Sequence, residues 1–174
     1  MRNALLLLLL LLATAPPADA QVAVLQWAYG PFATPGDAAF IVEGDPANGG
    51  ARIFQACGVA GTKGPCLYVI EGDKVYHSRE RTGSRGTGAY IVEENRLVRA
   101  YGPFCTRGTC ALIVEGNKVF RADGSYCTKQ EGAFLLDGND IYIGEGVFAQ
   151  RSDAVLHVRG TVNMTALLVI LAGL

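Results

Sequence analysis

Residues Ala28–Gly44 read AYGPFATPGDAAFIVEG, and residues Ala100–Gly116 read AYGPFCTRGTCALIVEG. Twelve of the seventeen positions are identical, in one register and without gaps. Identity of that density within one chain marks an internal repeat, and a repeat decides the fold before any single residue does. Residues Ala56–Gly72, Ser78–Glu94 and Ala122–Gly138 align in the same register, and a degenerate last copy begins near Ile143. The starts at 56, 78, 100 and 122 are 22 residues apart. The first interval is 28, because Pro46–Ala51 is a six-residue insertion.

Each copy predicts a β-hairpin. In the fourth, Ala111–Glu115 (ALIVE) and Lys118–Arg121 (KVFR) flank Gly116-Asn117. The flanks are β-branched and aromatic, as strands favour. Gly followed by Asn or Asp suits a two-residue type II′ turn, whose first residue needs positive φ. Gly44-Asp45, Gly72-Asp73 and Gly138-Asn139 repeat the signal. Glu94-Asn95 departs from it, so that turn is expected to be strained or of another type. In the first copy the insertion falls inside the turn and predicts a longer loop.

A two-residue turn places Glu71 opposite Lys74, Glu93 opposite Arg96 and Glu115 opposite Lys118. Such pairs contribute a few tenths of a kcal/mol and chiefly set register. The fifth hairpin puts Asp137 opposite Asp140, and these carboxylates with Asn139 are a candidate calcium site, set against the plainer reading of an exposed acidic turn. Both hairpin faces are fairly apolar: Ile113 and Phe120 point one way, Leu112, Val114 and Val119 the other. Either both faces are covered or the outside meets another apolar surface.

Five hairpins give ten strands. Val22–Trp27 (VAVLQW) and Ala154–Val158 (AVLHV) supply two more, and pairing them closes a ring of about twelve antiparallel strands with no free edge. Such a barrel is too wide for its own side chains to fill. Residues 163–174 supply the filling. Met164–Leu174 (MTALLVILAGL) is apolar all round, is too short to span a membrane, and fits a helix in the lumen capped by Asn163 or Thr161. Asn163-Met164-Thr165 also matches an N-glycosylation pattern, for which capping is the preferred alternative. The expected fold is therefore all-β with one short helix, over residues 21–174.

Residues 1–20 carry Arg2, the apolar run Leu5–Leu12 and the small-x-small ending Ala18-Asp19-Ala20, which predicts a signal peptide cleaved after Ala20. The protein is expected to be secreted or periplasmic. That compartment favours disulfides. Cys57 with Cys66, and Cys105 with Cys110, bracket equivalent connections and could each staple one, leaving Cys127 free; Cys105 or Cys110 bonded to Cys127 is the alternative. The chain holds 15 Lys and Arg against 16 Asp and Glu, a balance that gives no basic surface for nucleic acid. Arg79, Arg81 and Arg85 form one basic cluster, a candidate site for lipid phosphates or simply a solvated loop. Glu43, Glu71, Glu93, Glu115 and Asp137 would gather at one rim. Neither His77 nor His157 lies in a catalytic motif, and neither a cofactor, a metal nor an enzymatic activity is expected.

The segments Tyr68–Tyr76, Tyr90–Val98, Leu112–Phe120 and Phe134–Tyr142 approximate, as pattern rather than identity, an aromatic-Ile-x-Gly-Asn-x-Val-aromatic core. In this the chain resembles the bacterial β-flower family, over roughly Val22–Gly160. That family is described as shallow pseudo-symmetric barrels like the Tubby C-terminal domain, a twelve-stranded barrel threaded by a hydrophobic C-terminal helix. Tubby-like proteins bind phosphoinositides, and related barrels include phospholipid scramblases. The resemblance implies a non-catalytic module that binds a membrane surface, lipid or envelope partner protein, although no lipid-binding motif of those proteins maps onto this chain. A structural or adhesive envelope role is the alternative.

Overall fold

The computed structural model describes residues 22–45 and 50–174. The expected signal peptide and its cleavage site lie outside the described residues, as does the tip of the inserted loop. The strands are β1 (Val22–Tyr29), β2 (Thr34–Asp45), β3 (Gly50–Cys57), β4 (Thr62–Glu71), β5 (Lys74–Ser78) and β6 (Arg85–Glu93). They continue with β7 (Arg96–Tyr101), β8 (Thr106–Glu115), β9 (Lys118–Asp123), β10 (Thr128–Asp137), β11 (Asp140–Glu145) and β12 (Gln150–Arg159), and end in helix α1 (Met164–Ala172). All twelve strands pair antiparallel with their chain neighbours, and β1 pairs with β12, so the sheet is a closed barrel. The seam is the expected one, with Leu25 opposite Val158 and Trp27 opposite Leu156.

The tight turns behave as their chemistry requires. Gly72, Gly116 and Gly138 have φ between 61° and 65°, while the Asp or Asn that follows does not, which is the type II′ pattern. Glu94 adopts φ 53° at the equivalent place. It is forced into the same turn and carries a side chain where the fold wants none. The inserted segment lengthens its hairpin up to Asp45 opposite Gly50.

The lumen is filled by α1. Leu25, Ile53, Val75, Leu97 and Val119 are 0 % exposed and, with Ile141, occupy one repeat position around the ring. They form one core with Ala166–Leu171 of the helix. Asn163 caps the helix: its Oδ1 accepts from the Ala166 amide at 2.7 Å. The helix enters at the barrel end that carries the tight turns, where Met164, Thr165 and Leu168 lie against Glu94 and Asn95. Its 9 residues span about 13 Å at 1.5 Å per residue.

The outer face is covered too, by the protein itself. At the other end are six links, and each folds past the strand that leads into it onto the strand before that one, β12 in the case of the β1–β2 link. A residue at a bulge in that strand donates its amide to a link carbonyl: Ala38 to Gly58, Cys66 to Arg81, Gly88 to Gly102, Cys110 to Gly124, Gly132 to Gly146 and Ala154 to Gly30. The opposing link residues are Gly61, Gly83, Cys105, Cys127, Ala149 and Ala33, all at positive φ. Both sides of each junction are small because they touch: a Cβ on Gly88 would lie 2.6 Å from Cys105 Sγ, and one on Gly83 would lie 3.2 Å from Cys66 Sγ.

This junction corrects the leading cysteine pairing, Cys57 with Cys66 and Cys105 with Cys110, and selects the alternative of Cys110 bonded to Cys127. The disulfide is Cys110–Cys127, with Cα atoms 5.0 Å apart, while Cys57, Cys66 and Cys105 are free. Cys57 sits opposite Thr62, which leaves Cys66 about 13 Å farther along its strand. Cys110 is likewise four residues beyond the Tyr101–Thr106 pair that closes its own link. Only the Cys110–Cys127 junction places a cysteine on both sides, so Cys127 is bonded rather than free.

Candidate functional site

The acidic residues expected at one rim are spoken for. Their turn partners are in the expected register, yet their ion pairs are made with a base in the next hairpin. Glu43 holds Lys63 (2.6 Å), Glu71 holds Arg85 (3.0 Å), Glu93 holds Arg107 (2.8 Å), Glu115 holds Lys129 (2.8 Å) and Asp137 holds Arg151 (3.0 Å). Four of the five bases also lie over an aromatic ring on the outer wall: Lys63 over Phe54, Arg85 over Tyr76, Lys129 over Phe120 and Arg151 over Tyr142. The Arg107 guanidinium draws the Glu93 carboxyl below its ordinary value, chiefly by hydrogen bonding. At the seam the equivalent positions hold Arg159 and Pro35, so no such pair can form there.

The expected site residues separate accordingly. Arg85 is committed to Glu71 and Tyr76. Arg79 and Arg81 stay exposed on the link between β5 and β6, where the Arg81 carbonyl accepts from Cys66. Asp137 is paired with Arg151, Asp140 lies 2.6 Å from His157 Nδ1, and the Asn139 carbonyl accepts from Val158. Each of the three thus has a partner within the protein.

Two features at the link end stand out instead. The first is a crown of exposed apolar side chains on the links. Phe32, Phe104, Tyr126 and Phe148 occupy one position in their copies and are 90, 85, 95 and 70 % exposed. Each immediately precedes the positive-φ residue anchored on the outer wall, so a fixed backbone holds it outward. Tyr29 and Tyr101 at the ends of β1 and β7, Val147 beside Phe148, and Val59 on the β3–β4 link are exposed as well.

The second is the mouth of the lumen at that end. It is lined by six cross-strand pairs: Phe40–Gln55, Tyr68–His77, Tyr90–Arg99, Leu112–Arg121, Phe134–Ile143 and Leu156–Trp27. The first member of each packs on the core around α1. Directly opposed residues share a face of the sheet, so the second members also face inward, nearer the opening. Gln55, His77, Arg99, Arg121 and Ile143 are nonetheless exposed, and Trp27 is half-buried. The mouth is an open bowl above the helix.

One side of the bowl is a cavity of about 360 Å³ lined by His77, Thr87, Tyr90, Arg99 and Tyr101 among others, none of them a carboxylate or a thiol. Tyr68 packs at a tilt against His77 (ring centroids 5.3 Å apart) and Tyr90 (6.3 Å). Burial raises both tyrosine hydroxyls above their ordinary value. His77 was visible in the sequence only as a histidine outside any motif. The other mouth residues except Gln55, which lies across the longer first loop, were open to the register argument, because each faces a core residue across a two-residue turn or the seam. No family model matches the chain, and no curated protein or solved structure matches it significantly.

Proposed function

We propose that this is an exported, non-catalytic module that docks on a membrane surface with the link end of its barrel. The observation that carries the reading is the crown of Phe32, Phe104, Tyr126 and Phe148. Folding gains almost nothing from an aromatic ring left in water, and large exposed apolar features mark contact surfaces. A lipid interface suits the geometry better than a protein groove. The tips protrude from four consecutive links at one end of the barrel, β7–β8, β9–β10, β11–β12 and β1–β2, and a membrane accepts any set of protruding tips, with Phe and Tyr partitioning readily to the headgroup level. Burying four such side chains halfway contributes about 3–6 kcal/mol, on 1.5–3 kcal/mol for a fully buried side chain. Charge plays the smaller part, since the outer-wall bases already hold carboxylates. The Cys110–Cys127 disulfide fits an oxidising compartment.

The test is flotation with neutral and with anionic liposomes. The wild type is expected to float with both, and a Phe104→Ser, Tyr126→Ser variant with an unchanged circular dichroism spectrum to stay behind. Wild-type protein that is folded and binds neither liposome sinks the reading.

A further inference from the structure

We propose that the mouth of the barrel is a binding site for a single-chain amphiphilic anion, a carboxylate or phosphate head on an apolar body. The inward-facing ring, taken in order around the barrel, is Trp27, Gln55, His77, Arg99, Arg121 and Ile143. It divides into two arcs. Gln55, His77, Arg99 and Arg121 are contiguous and offer hydrogen-bond donors. Ile143 and Trp27 complete the ring as an apolar arc, continuous below with Phe134, Leu156 and Phe40 of the core. A ligand that satisfies both arcs must have one charged end and one apolar flank.

The charge balance sets the sign. The five outer-wall bases each hold a carboxylate, whereas Arg99 and Arg121 are in no ion pair among the described residues. One Arg99 nitrogen, Nη1, donates to the Cys110 carbonyl at 2.8 Å, which fixes the guanidinium against the wall and leaves its other donors free. The nearest carboxylate on the Arg121 strand, Asp123, is turned to the Gly124 amide at 2.7 Å. Glu145 lies at the end of β11, on the apolar side of the ring. Arg99 on β7 and Arg121 on β9 are separated by one strand, about 10 Å between backbones at 4.7–4.9 Å per strand, a span that lets both long side chains reach one oxyanion with charge-assisted hydrogen bonds. The cavity beside Arg99, about 360 Å³, falls in the range of small-molecule sites. The Tyr68 and Tyr90 hydroxyls add neutral donors for an oxyanion.

The site carries its own reporter, because Trp27 is the single tryptophan of the chain. Its fluorescence is titrated with decanoate, decyl phosphate and decyltrimethylammonium, each below its micellar concentration and without vesicles. The two anions are expected to change the emission saturably, and the cation of equal chain length to leave it unchanged. Arg121→Gln removes a side chain with no structural partner and is expected to weaken decanoate binding roughly tenfold or more, the scale of one charged hydrogen bond. Arg99→Gln with Arg121→Gln weakens it further. Equal responses to cation and anion, no response to either anion, or unchanged affinity in Arg121→Gln overturn the proposal. Because no membrane is present, failure here leaves the docking of the crown separately testable.

Discussion

Cys110 on β8 and Cys127 on the β9–β10 link are bonded across the boundary between two repeats, at the junction where each link folds onto the first strand of the preceding hairpin. Five equivalent junctions hold the pairs Ala38–Gly61, Cys66–Gly83, Gly88–Cys105, Gly132–Ala149 and Ala154–Ala33, with at most one sulfur each.

This arrangement predicts a graded thiol count. Native protein treated with iodoacetamide should take up one label, on the exposed Cys57. Unfolded without reductant it should take up three, and with reductant all five. Peptide mass mapping reads the positions directly. Cys127→Ser opens a loop of sequence separation 17 and should cost about 3 kcal/mol by loop-closure entropy, measured by urea unfolding.

Glu94→Gly should stabilise the protein by about 1 kcal/mol. Glu94 holds φ 53° where Gly72, Gly116 and Gly138 hold the same conformation without a Cβ. The left-handed region costs a non-glycine residue about 1–2 kcal/mol, partly offset by the greater freedom of glycine in the unfolded chain. A fall in the urea midpoint would contradict this account of the turn.

The Glu93–Arg107 pair predicts a pH signature. The folded carboxyl lies below its ordinary value of 4.5, so the unfolded state binds a proton more readily. The pair therefore contributes its stability above pH 4.5 and loses it as pH falls through the lower, folded value. Arg107→Gln should be less stable than wild type at pH 7, and the two should converge as the pH drops below that window. Parallel stability curves down to pH 2 would argue against the pair.

The plug predicts a large core effect. Leu168, 2 % exposed within α1, should cost about 2–5 kcal/mol when cut to alanine. Val169→Asp places a charge at a fully buried position and should abolish the folded barrel, seen as loss of near-ultraviolet circular dichroism.

Much of this architecture was written in local patterns. The copies Ala28–Gly44 and Ala100–Gly116 declare themselves by identity, the Gly-Asn turns by their φ requirement, and the plug by the lack of any polar face on Met164–Leu174. The two strand-like remnants, Val22–Trp27 and Ala154–Val158, had only each other to pair with. Contacts between repeats were harder to see. Cys57 with Cys66 looked natural along the chain, yet extended strands hold them apart. Cys110–Cys127 was open only as an alternative, and pairing residues by repeat position would have preferred it, because a β-bulge and a folded-back link bring those two positions together. Likewise, Glu93 faces Arg96 but bonds Arg107, because the long base of the neighbouring hairpin lies diagonally across the outer wall. The exposure of Phe104 and Tyr126 was not legible, since an apolar residue in a turn is as often packed as free. The inward set of Arg99 and Arg121 was within reach of the register rule, but burial distinguishes an open mouth from a filled one, and burial is not in the pattern.

The closed seam between β1 and β12 bears on how the chain reaches this state. The strand that opens the barrel must find the one that completes it across more than a hundred residues, and α1 has no lumen to enter until they meet. Hairpins form quickly on their own, but a pairing of such long range waits on a large loss of chain entropy, and topologies of high contact order fold slowly. The isolated repeats should thus gain strand structure early and a rigid interior late, in one concerted step. Until that step the apolar helix and five hairpin faces stand in water together, and this interval is the one in which the protein is most prone to aggregate.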